Sequence, residues 1–281
     1  MNRERKKILN KIFKTAFAAF IVFLLIVPIL IMISTSLKTY TEITLWPPKW
    51  IPDDIQWSNY YEVTLGEKSI LKPFVNSLIV ASCTSILCIT AGAVGAYAVT
   101  RFQFMGRKTF LFTIIATQMF SAVILVNPMY VTFRELGILN TKTALILANT
   151  ASSLPMTVWL VYSYMSAIPP GMEEAAMVDG CSRVQSVFKI LLPIVRPGLI
   201  TAGLFSFISA WGDLIYAQSF ITANTNARTM SLALTDFQSL YKTTWETQMA
   251  ASVISIIPVF IIFLLIQKHL VKGIASGGIK E

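Results

Sequence analysis

The sequence predicts an all-α polytopic membrane protein with six transmembrane helices and both termini in the cytoplasm. Three observations predict this class: long apolar segments, few charged residues, and basic residues that collect beside alternate apolar segments. Of the 281 residues, 55% are hydrophobic and 13% are charged, whereas soluble domains carry about 25% charged residues. The mean hydropathy of +0.65 agrees. An ordinary soluble domain is therefore excluded.

The first predicted span covers residues 15–35 and follows a basic segment, residues 1–14. A secretory signal peptide has a shorter apolar core and a small-residue cleavage site, and neither feature is present here. About 20 apolar residues cross the hydrocarbon core of a bilayer. We therefore expect an uncleaved helix after a cytoplasmic N-terminus.

Five further spans are predicted in a core domain of residues 74–281, after an external loop of residues 36–73. They cover about 74–99, 109–131, 143–165, 194–216 and 249–267. Most of the 23 Lys and Arg residues fall in the terminal segments and in the loops after the second and fourth spans. Because cytoplasmic loops carry an excess of Lys and Arg, this bias predicts that both termini are cytoplasmic.

The net charge of +9 permits an interaction with nucleic acid, but the basic residues lie beside apolar segments. Anionic lipid and membrane topology explain that placement better, so we expect no nucleic-acid partner. Three cysteines and one histidine are too few for a disulfide framework or a metal site. We therefore expect a chain that is not an enzyme and binds no metal.

Residues 168–193, between the fourth and fifth spans, are predicted to form two short helices. Pro169 and Pro170 suit a helix start, and Glu173 and Glu174 fall where the helix dipole favours negative charge. Gly180 is a C-terminal stop.

Ser182 with Gln185 is a capping box that begins the second helix. Helical spacing predicts one apolar face on this helix, and Pro193 is predicted to end it. The face consists of Val184, Val187, Phe188 and Leu191.

The same segment resembles the EAA loop of the inner-membrane permease subunits of binding-protein-dependent ABC importers. The resemblance consists of Glu174-Ala175-Ala176, Gly180 after three residues, Ile190 after nine more, and then Leu192-Pro193. A surface hairpin without a partner is the alternative interpretation.

Further segments resemble the carbohydrate-uptake branch of this family, the maltose-type permeases. They are the stretch 130–141, Leu154-Pro155 with Trp159, and the Gly-rich tail 270–280. One departure is Trp211-Gly212-Asp213, where the branch has Trp-Asn before an acidic residue.

The resemblance implies an ABC importer type I permease fold and a permease subunit for a sugar or oligosaccharide in the cytoplasmic membrane of a bacterium or archaeon. It implies a second permease subunit as heterodimer partner, two cytoplasmic ATPase subunits, an extracytoplasmic solute-binding protein and surrounding lipid. ATP and Mg would be bound by the ATPase, so no cofactor is expected on this chain. The residues implied to couple to the ATPase are Glu173, Glu174, Ala175, Ala176, Asp179, Gly180, Ile190, Leu192 and Pro193.

Polar and aromatic residues within the spans are candidates for the substrate path, although such residues also join helices to one another. The candidates are Asn76, Gln118, Asn127, Asn149, Ser153, Trp159, Trp211 and Asp213. A permease for another solute is the nearest alternative. An ion-coupled secondary transporter would need ionisable residues deep in its helices and internal repeats. The sequence favours neither feature.

Overall fold

The computed structural model describes residues 3–223, 225–238 and 243–277, with side chains described from residue 10 to residue 267 outside 224–225 and 239–242. These residues are mainly helical and contain no strand beyond an isolated bridge between Gln238 and Thr243. The all-α prediction is confirmed for them. Residues 278–280, the end of the predicted Gly-rich tail, lie outside the described residues.

Most connections between the helices are short, although residues 45–57 separate the second helix from the third. In chain order they are α1 (Arg3–Ser36), α2 (Tyr40–Thr44), α3 (Ser58–Leu65), α4 (Leu71–Arg101), α5 (Arg107–Thr117), α6 (Ala122–Glu135), α7 (Lys142–Ser166), α8 (Gly171–Val178), α9 (Arg183–Ser186), a π-helical turn (Val187–Leu191), α10 (Leu192–Trp211), α11 (Ile215–Phe220), α12 (Met230–Leu234) and α13 (Trp245–Gly277).

Within the described residues, five helical segments are long and apolar enough to cross a membrane, and α5 with α6 gives a sixth if the pair counts as one span. The predicted span 109–131 is therefore wrong as a single continuous helix, because α5 and α6 are bent by 97°. Ser121 is extended (φ −68°, ψ 143°) and its hydroxyl caps α6 by accepting from the Val123 N–H. A serine N-cap starts a new helix, a signal that hydropathy alone does not register.

The chain divides into two compact units. One comprises Met1–Ile70 and Leu234–Ile257, and the other comprises Leu71–Ala233 and Pro258–Glu281. In the first unit, the segment after α1 is held by polar contacts: Asn59 donates to the carbonyls of Ser36 and Lys38, each at 3.0 Å. The buried Glu42 accepts from the Asp53 N–H at 2.9 Å.

The second unit is built on α4, α7 and α10, which pack against one another as its three principal helix pairs. A buried cluster of Ala96, Val161, Met165, Leu191, Val195 and Ala202 fills the space between them near the C-terminal ends of α4 and α7. Those two ends and the start of α10 therefore lie at one end of the bundle, which we call the loop end. The start of α7 and the end of α10 lie at the opposite end.

Glycines set how closely these helices approach. A Cβ built on Gly198 of α10 would lie 2.5 Å from Cγ of Tyr164, and one built on Gly92 of α4 would lie 2.7 Å from Cγ2 of Thr157. Two apolar helices in lipid gain little from burying apolar surface, so their association depends on close packing of small residues. These two positions tie α7 to both of its neighbours.

We expect Gly198→Ala to destabilise the bundle, because the new methyl group meets the Tyr164 ring and overpacking of this kind costs about 1–3 kcal/mol. The matched control is Gly95→Ala, whose Cβ would make an ordinary 3.6 Å contact with Val158. Thermal unfolding of the purified protein in detergent measures both variants. Equal unfolding temperatures for Gly198→Ala and Gly95→Ala would contradict this account of the packing.

Candidate functional site

Residues 167–191 at the loop end connect α7 to α10 through the α8–α9 hairpin, and local hydrogen bonds fix where α8 ends. Gly180 has φ +91°, a conformation that a glycine adopts without a steric penalty. The Gly180 N–H donates to the Met177 carbonyl at 3.1 Å, and the Cys181 N–H donates to the Ala176 carbonyl at 3.0 Å. This pair of bonds is the Schellman motif, and the predicted stop at Gly180 is confirmed.

The capping box at the start of α9 is also confirmed. The Ser182 N–H donates to Gln185 Oε1 at 2.9 Å, and the Gln185 N–H donates to Ser182 Oγ at 3.3 Å. Because both bonds satisfy N–H groups that have no partner inside the helix, α9 begins at a defined residue. Gly180, Ser182 and Gln185 thus supply the local turn signals between α8 and α9.

The predicted apolar face of the second helix is wrong in part. Val184 and Phe188 are 65% and 66% exposed, whereas Leu191 is 1% exposed and Ser186 is fully buried. Part of this stretch is a π-helical turn over Val187–Leu191, in which the Leu192 N–H donates to the Val187 carbonyl. A π turn inserts an extra residue relative to the α-helical period, so spacing counted on 3.6 residues per turn does not hold across Val187–Leu191.

The predicted helix end at Pro193 is wrong as well. Helix α10 begins at Leu192 and continues to Trp211, with Pro193 in its first turn. The π turn over Val187–Leu191 is followed at once by α10, so the hairpin is joined to the fifth predicted span by a continuous helical path.

Helix α8 has two different sides. Glu174, Ala175, Asp179 and Gly180 are exposed, while Glu173 and Ala176 are buried. The exposed side also carries Met172 and Val178. Small, apolar and acidic groups on one accessible helix face suit contact with another protein, and the opposite side is occupied by this chain itself.

Glu173 contacts Arg101, the last residue of α4. Arg101 Nε donates to Glu173 Oε1 at 2.5 Å, and the two side chains are only 8% and 7% exposed. Next to this ion pair, the guanidinium of Arg183 lies 5.1 Å from the centroid of the Phe102 ring. The sequence analysis did not predict that Arg101 pairs with Glu173. A signal was present, since Arg101 follows the second predicted span and Glu173 follows the fourth, on the same predicted side of the membrane.

The remaining predicted coupling residues lie where the hairpin meets the bundle. Leu192 packs against the buried cluster at the loop end, Ile190 is half-buried and Pro193 is exposed. These three residues therefore follow the hairpin and lie apart from its exposed face. Their assignment to coupling remains a prediction.

A polar cluster occupies the opposite end of the bundle, around Asp213. Its carboxylate accepts from the Tyr216 N–H at 3.1 Å and from the Asn149 side-chain amide at 3.2 Å. The hydroxyls of Tyr216 and Ser152 are 2.6 Å apart. Burial raises the pKa of the Asp213 carboxyl, and the hydrogen bonds from the Tyr216 N–H and the Asn149 amide lower that pKa in part. Asp213 lies two residues beyond the end of α10, as its predicted place near a span end implied.

Asn76 holds a loop of the same unit in place. Its amide donates to the carbonyls of Asn226 and Arg228 at 2.8 and 2.9 Å, and Lys142 Nζ donates to its side-chain oxygen at 3.3 Å. Asn76 is 4% exposed. The structure therefore gives Asn76 an anchoring role, and its predicted place on a substrate path is not tested by these contacts.

Gln118 lies at the bend between α5 and α6, beside a cavity of about 200 Å³ whose lining includes Gln118, Phe120, Ser152 and Pro155. The Gln118 amide donates to the Ser152 carbonyl at 3.3 Å. The bend thus places a polar side chain and a helix break next to the middle of α7.

The other path candidates are dispersed. Asn127 is exposed on α6, and Ser153 is buried. The Trp159 ring lies 5.8 Å from that of Tyr162. The Trp211 ring packs in the core against Phe74 and Phe207, which leaves it little surface for a ligand. Asn149 and Asp213 are in direct contact. Gln118 is connected to Asp213 through Ser152 and Tyr216.

In the part of the chain that the structure describes, no group of three or more His, Cys, Asp or Glu side chains lies close enough to bind a metal ion. The three cysteines are unpaired thiols.

Residues 88–276 match the family model described as the inner membrane component of binding-protein-dependent transport systems. The matched region covers most of the bundle and the whole hairpin. The chain belongs to this family. It is a multi-pass membrane permease component and not an enzyme.

Curated relatives of this permease extend over nearly its full length. It is 36% identical over 253 residues to the sulfoquinovosyl glycerol transport system permease protein SmoH of Agrobacterium fabrum. The aligned residues make up 90% of this chain and 88% of SmoH. It is 32% identical over 257 residues to the diacetylchitobiose uptake system permease protein DasC of Streptomyces coelicolor, which covers 91% and 92%.

A chain of a solved structure shares the fold of this permease. The structure is that of a bacterial ABC transporter involved in the import of the acidic polysaccharide alginate, with a TM-score of 0.78 and 24% identity over 95% of this chain and 98% of that one. At this identity the likeness establishes the fold of an ABC importer subunit.

We expect Gly180→Ala to loosen the α8–α9 hairpin, because a left-handed backbone costs a residue with a Cβ about 1–2 kcal/mol. Gly171→Ala is the matched control: a Cβ meets nothing within 4 Å at either position, but only Gly180 has positive φ. Amide hydrogen exchange of residues 171–186 in the purified permease measures the difference. Unchanged exchange in Gly180→Ala would show that the turn does not depend on this glycine.

Proposed function

We propose that this permease forms part of the translocation path for a sugar or oligosaccharide in an ATP-driven importer, and that α8 couples the path to a cytoplasmic ATPase. The observation that carries the proposal is the hairpin, since α8 exposes Glu174 and Ala175 at the loop end, while Glu173 and Ala176 are buried and Glu173 pairs with Arg101 of the bundle. The family match and the sugar-related names of the relatives support the transport class.

The proposed topology has six spans, with α5 and α6 crossing as one broken span and both termini in the cytoplasm. The basic residues at the loop end support this orientation. They are Arg101, Arg107, Lys108, Arg183, Lys189 and Arg196. In a bacterial or archaeal cytoplasmic membrane, the hairpin then faces the compartment that holds ATP.

The partners in this proposal are a second permease subunit, two ATPase subunits that bind ATP and Mg, and an extracytoplasmic solute-binding protein. This chain contributes no catalytic residue and binds no cofactor. It supplies a docking helix on one side of the membrane and part of a path across it. A permease for another solute differs from this proposal in its ligand alone, so the identity of the ligand separates the two.

The cavity at the α5–α6 bend supports a substrate path beside α7. Gln118 and Ser152 bring polar atoms to it, and Tyr216 connects Ser152 to the Asn149–Asp213 pair at the end of the bundle opposite the loop end. Sugars offer hydroxyl groups that both donate and accept hydrogen bonds, which amides, hydroxyls and carboxylates can match. In many secondary transporters, broken transmembrane helices form the substrate site.

We expect Glu174→Lys to release the ATPase while the permease stays in the membrane. The change reverses an exposed charge in the first turn of α8, where the helix dipole favours an acid, and a loss of about 1.4 kcal/mol lowers the binding constant about tenfold. Glu67→Lys is the control, an equal charge change at an exposed residue of the predicted external loop. Co-purification of the ATPase measures the effect, and equal recovery with both variants would refute the docking role.

The solute class is tested by affinity purification of the tagged permease from its native host. The expected result is recovery of a second permease, an ATPase and a solute-binding protein, with a carbohydrate identified by mass spectrometry in the binding protein. Recovery of the same subunits with a non-carbohydrate ligand would retain the importer and reject the sugar assignment. Recovery of the permease without an ATPase would reject the importer.

A further inference from the structure

Helix α8 is joined to the transmembrane bundle in three ways. Two are covalent: residues 167–170 connect α8 to the end of α7, and α9 with the π turn, both of which α8 contacts, connects it to α10. The third is the ion pair of Glu173 with Arg101, which joins α8 to the end of α4 across 72 positions of sequence. The α8 and α4 backbones are not among the principal helix contacts of the described chain. The direct link between the two helices is made at Glu173, by Arg101 and by the neighbouring Tyr97 of α4.

The ion pair is well suited to hold the two helices together. Both side chains are more than nine-tenths buried, and a charge without water depends on its partner for compensation. Nη2 of Arg101 is also buried, with no hydrogen-bond partner among the described residues. If α8 moved away from α4, two buried charges would be left without compensation. The pair therefore resists relative movement more strongly than an apolar contact of the same size.

Arg101 is placed so that a displacement of its backbone affects the whole bundle. It is the last residue of α4, and α4 packs along most of its length on α7 and α10. Gly92 brings α4 against Thr157 of α7, and Gly203 brings α10 against Ile89 of α4. Close-packed interfaces of this kind transmit displacement because they contain little space to absorb it.

We propose that Arg101 is a positioning residue that makes α4 follow the movement of α8. The inference rests on the proposed function, in which α8 docks on the ATPase and moves with it. In this arrangement α8 has a separate surface for each role: Glu174 and Ala175 face the ATPase, and Glu173 faces α4 through Arg101. Of the two acidic residues at the start of α8, Glu174 therefore contacts the ATPase and Glu173 contacts the bundle.

The test is hydrogen–deuterium exchange of the full complex, purified with its native partner subunits in nanodiscs, with ATP, Mg²⁺ and vanadate as the probe. In the wild type, we expect the probe to change exchange in residues 171–186 and in residues 94–104. In Arg101→Met, the change in 171–186 is expected to remain and the change in 94–104 to be lost. Arg107→Met removes a neighbouring positive charge that has no ion-pair partner among the described residues, and it is expected to respond as the wild type does.

Two further variants keep the test decisive if Arg101→Met does not fold. Arg101→Met with Glu173→Met removes both charges and leaves none uncompensated, so it is expected to assemble and still lack the response of residues 94–104. Arg101→Glu with Glu173→Arg is expected to restore that response. A wild-type response of residues 94–104 in either methionine variant, with the ATPase bound, would overturn the inference. Absence of the ATPase from the wild-type complex would instead overturn the proposed function.

Discussion

The close packing of α4, α7 and α10 is the constraint on which the rest of the second unit depends. Apolar helices gain little from one another in lipid, so their association requires surfaces that fit. Gly92, Gly198 and Gly203 supply that fit, because each is placed where a Cβ would collide with a neighbouring side chain. The three helices set the positions of both ends of the bundle. Polar groups hold the α8–α9 hairpin at one end and the connecting loops at the other.

At the loop end, polar groups join the α8–α9 hairpin to the bundle and leave one face of α8 accessible. The Schellman turn and the capping box use local hydrogen bonds, so the hairpin keeps its shape without a partner. The Glu173–Arg101 pair then sets its position against α4. Docking to another protein costs less conformational entropy when the docking helix is already formed and placed.

At the opposite end, side chains hydrogen-bond the backbone groups of loops that lack regular secondary structure. Asn140, at φ +60°, accepts from the N–H groups of Thr222 and Ala223, and Asn76 binds the loop around Asn226. These contacts satisfy loop backbone groups that would otherwise be buried without partners. The same physical rule explains why several polar residues in the spans serve the fold, while Gln118 and Ser152 border open space at a helix break.

The sequence by itself determined the helical class, the family and the two turn signals of the hairpin. Long apolar segments predict membrane-spanning helices. Gly180 and the Ser182–Gln185 pair act through hydrogen bonds between residues that are close in the sequence. Only the structure showed the break at Ser121, the π turn over Val187–Leu191, and the continuation of α10 through Pro193. A serine can lie inside a helix or at its N-cap, and a proline in a first turn or after a helix end, so neither residue type by itself decides between these positions. The pairing of Glu173 with Arg101 likewise required three-dimensional proximity, since 72 positions separate the two residues and neither sequence neighbourhood specifies the other.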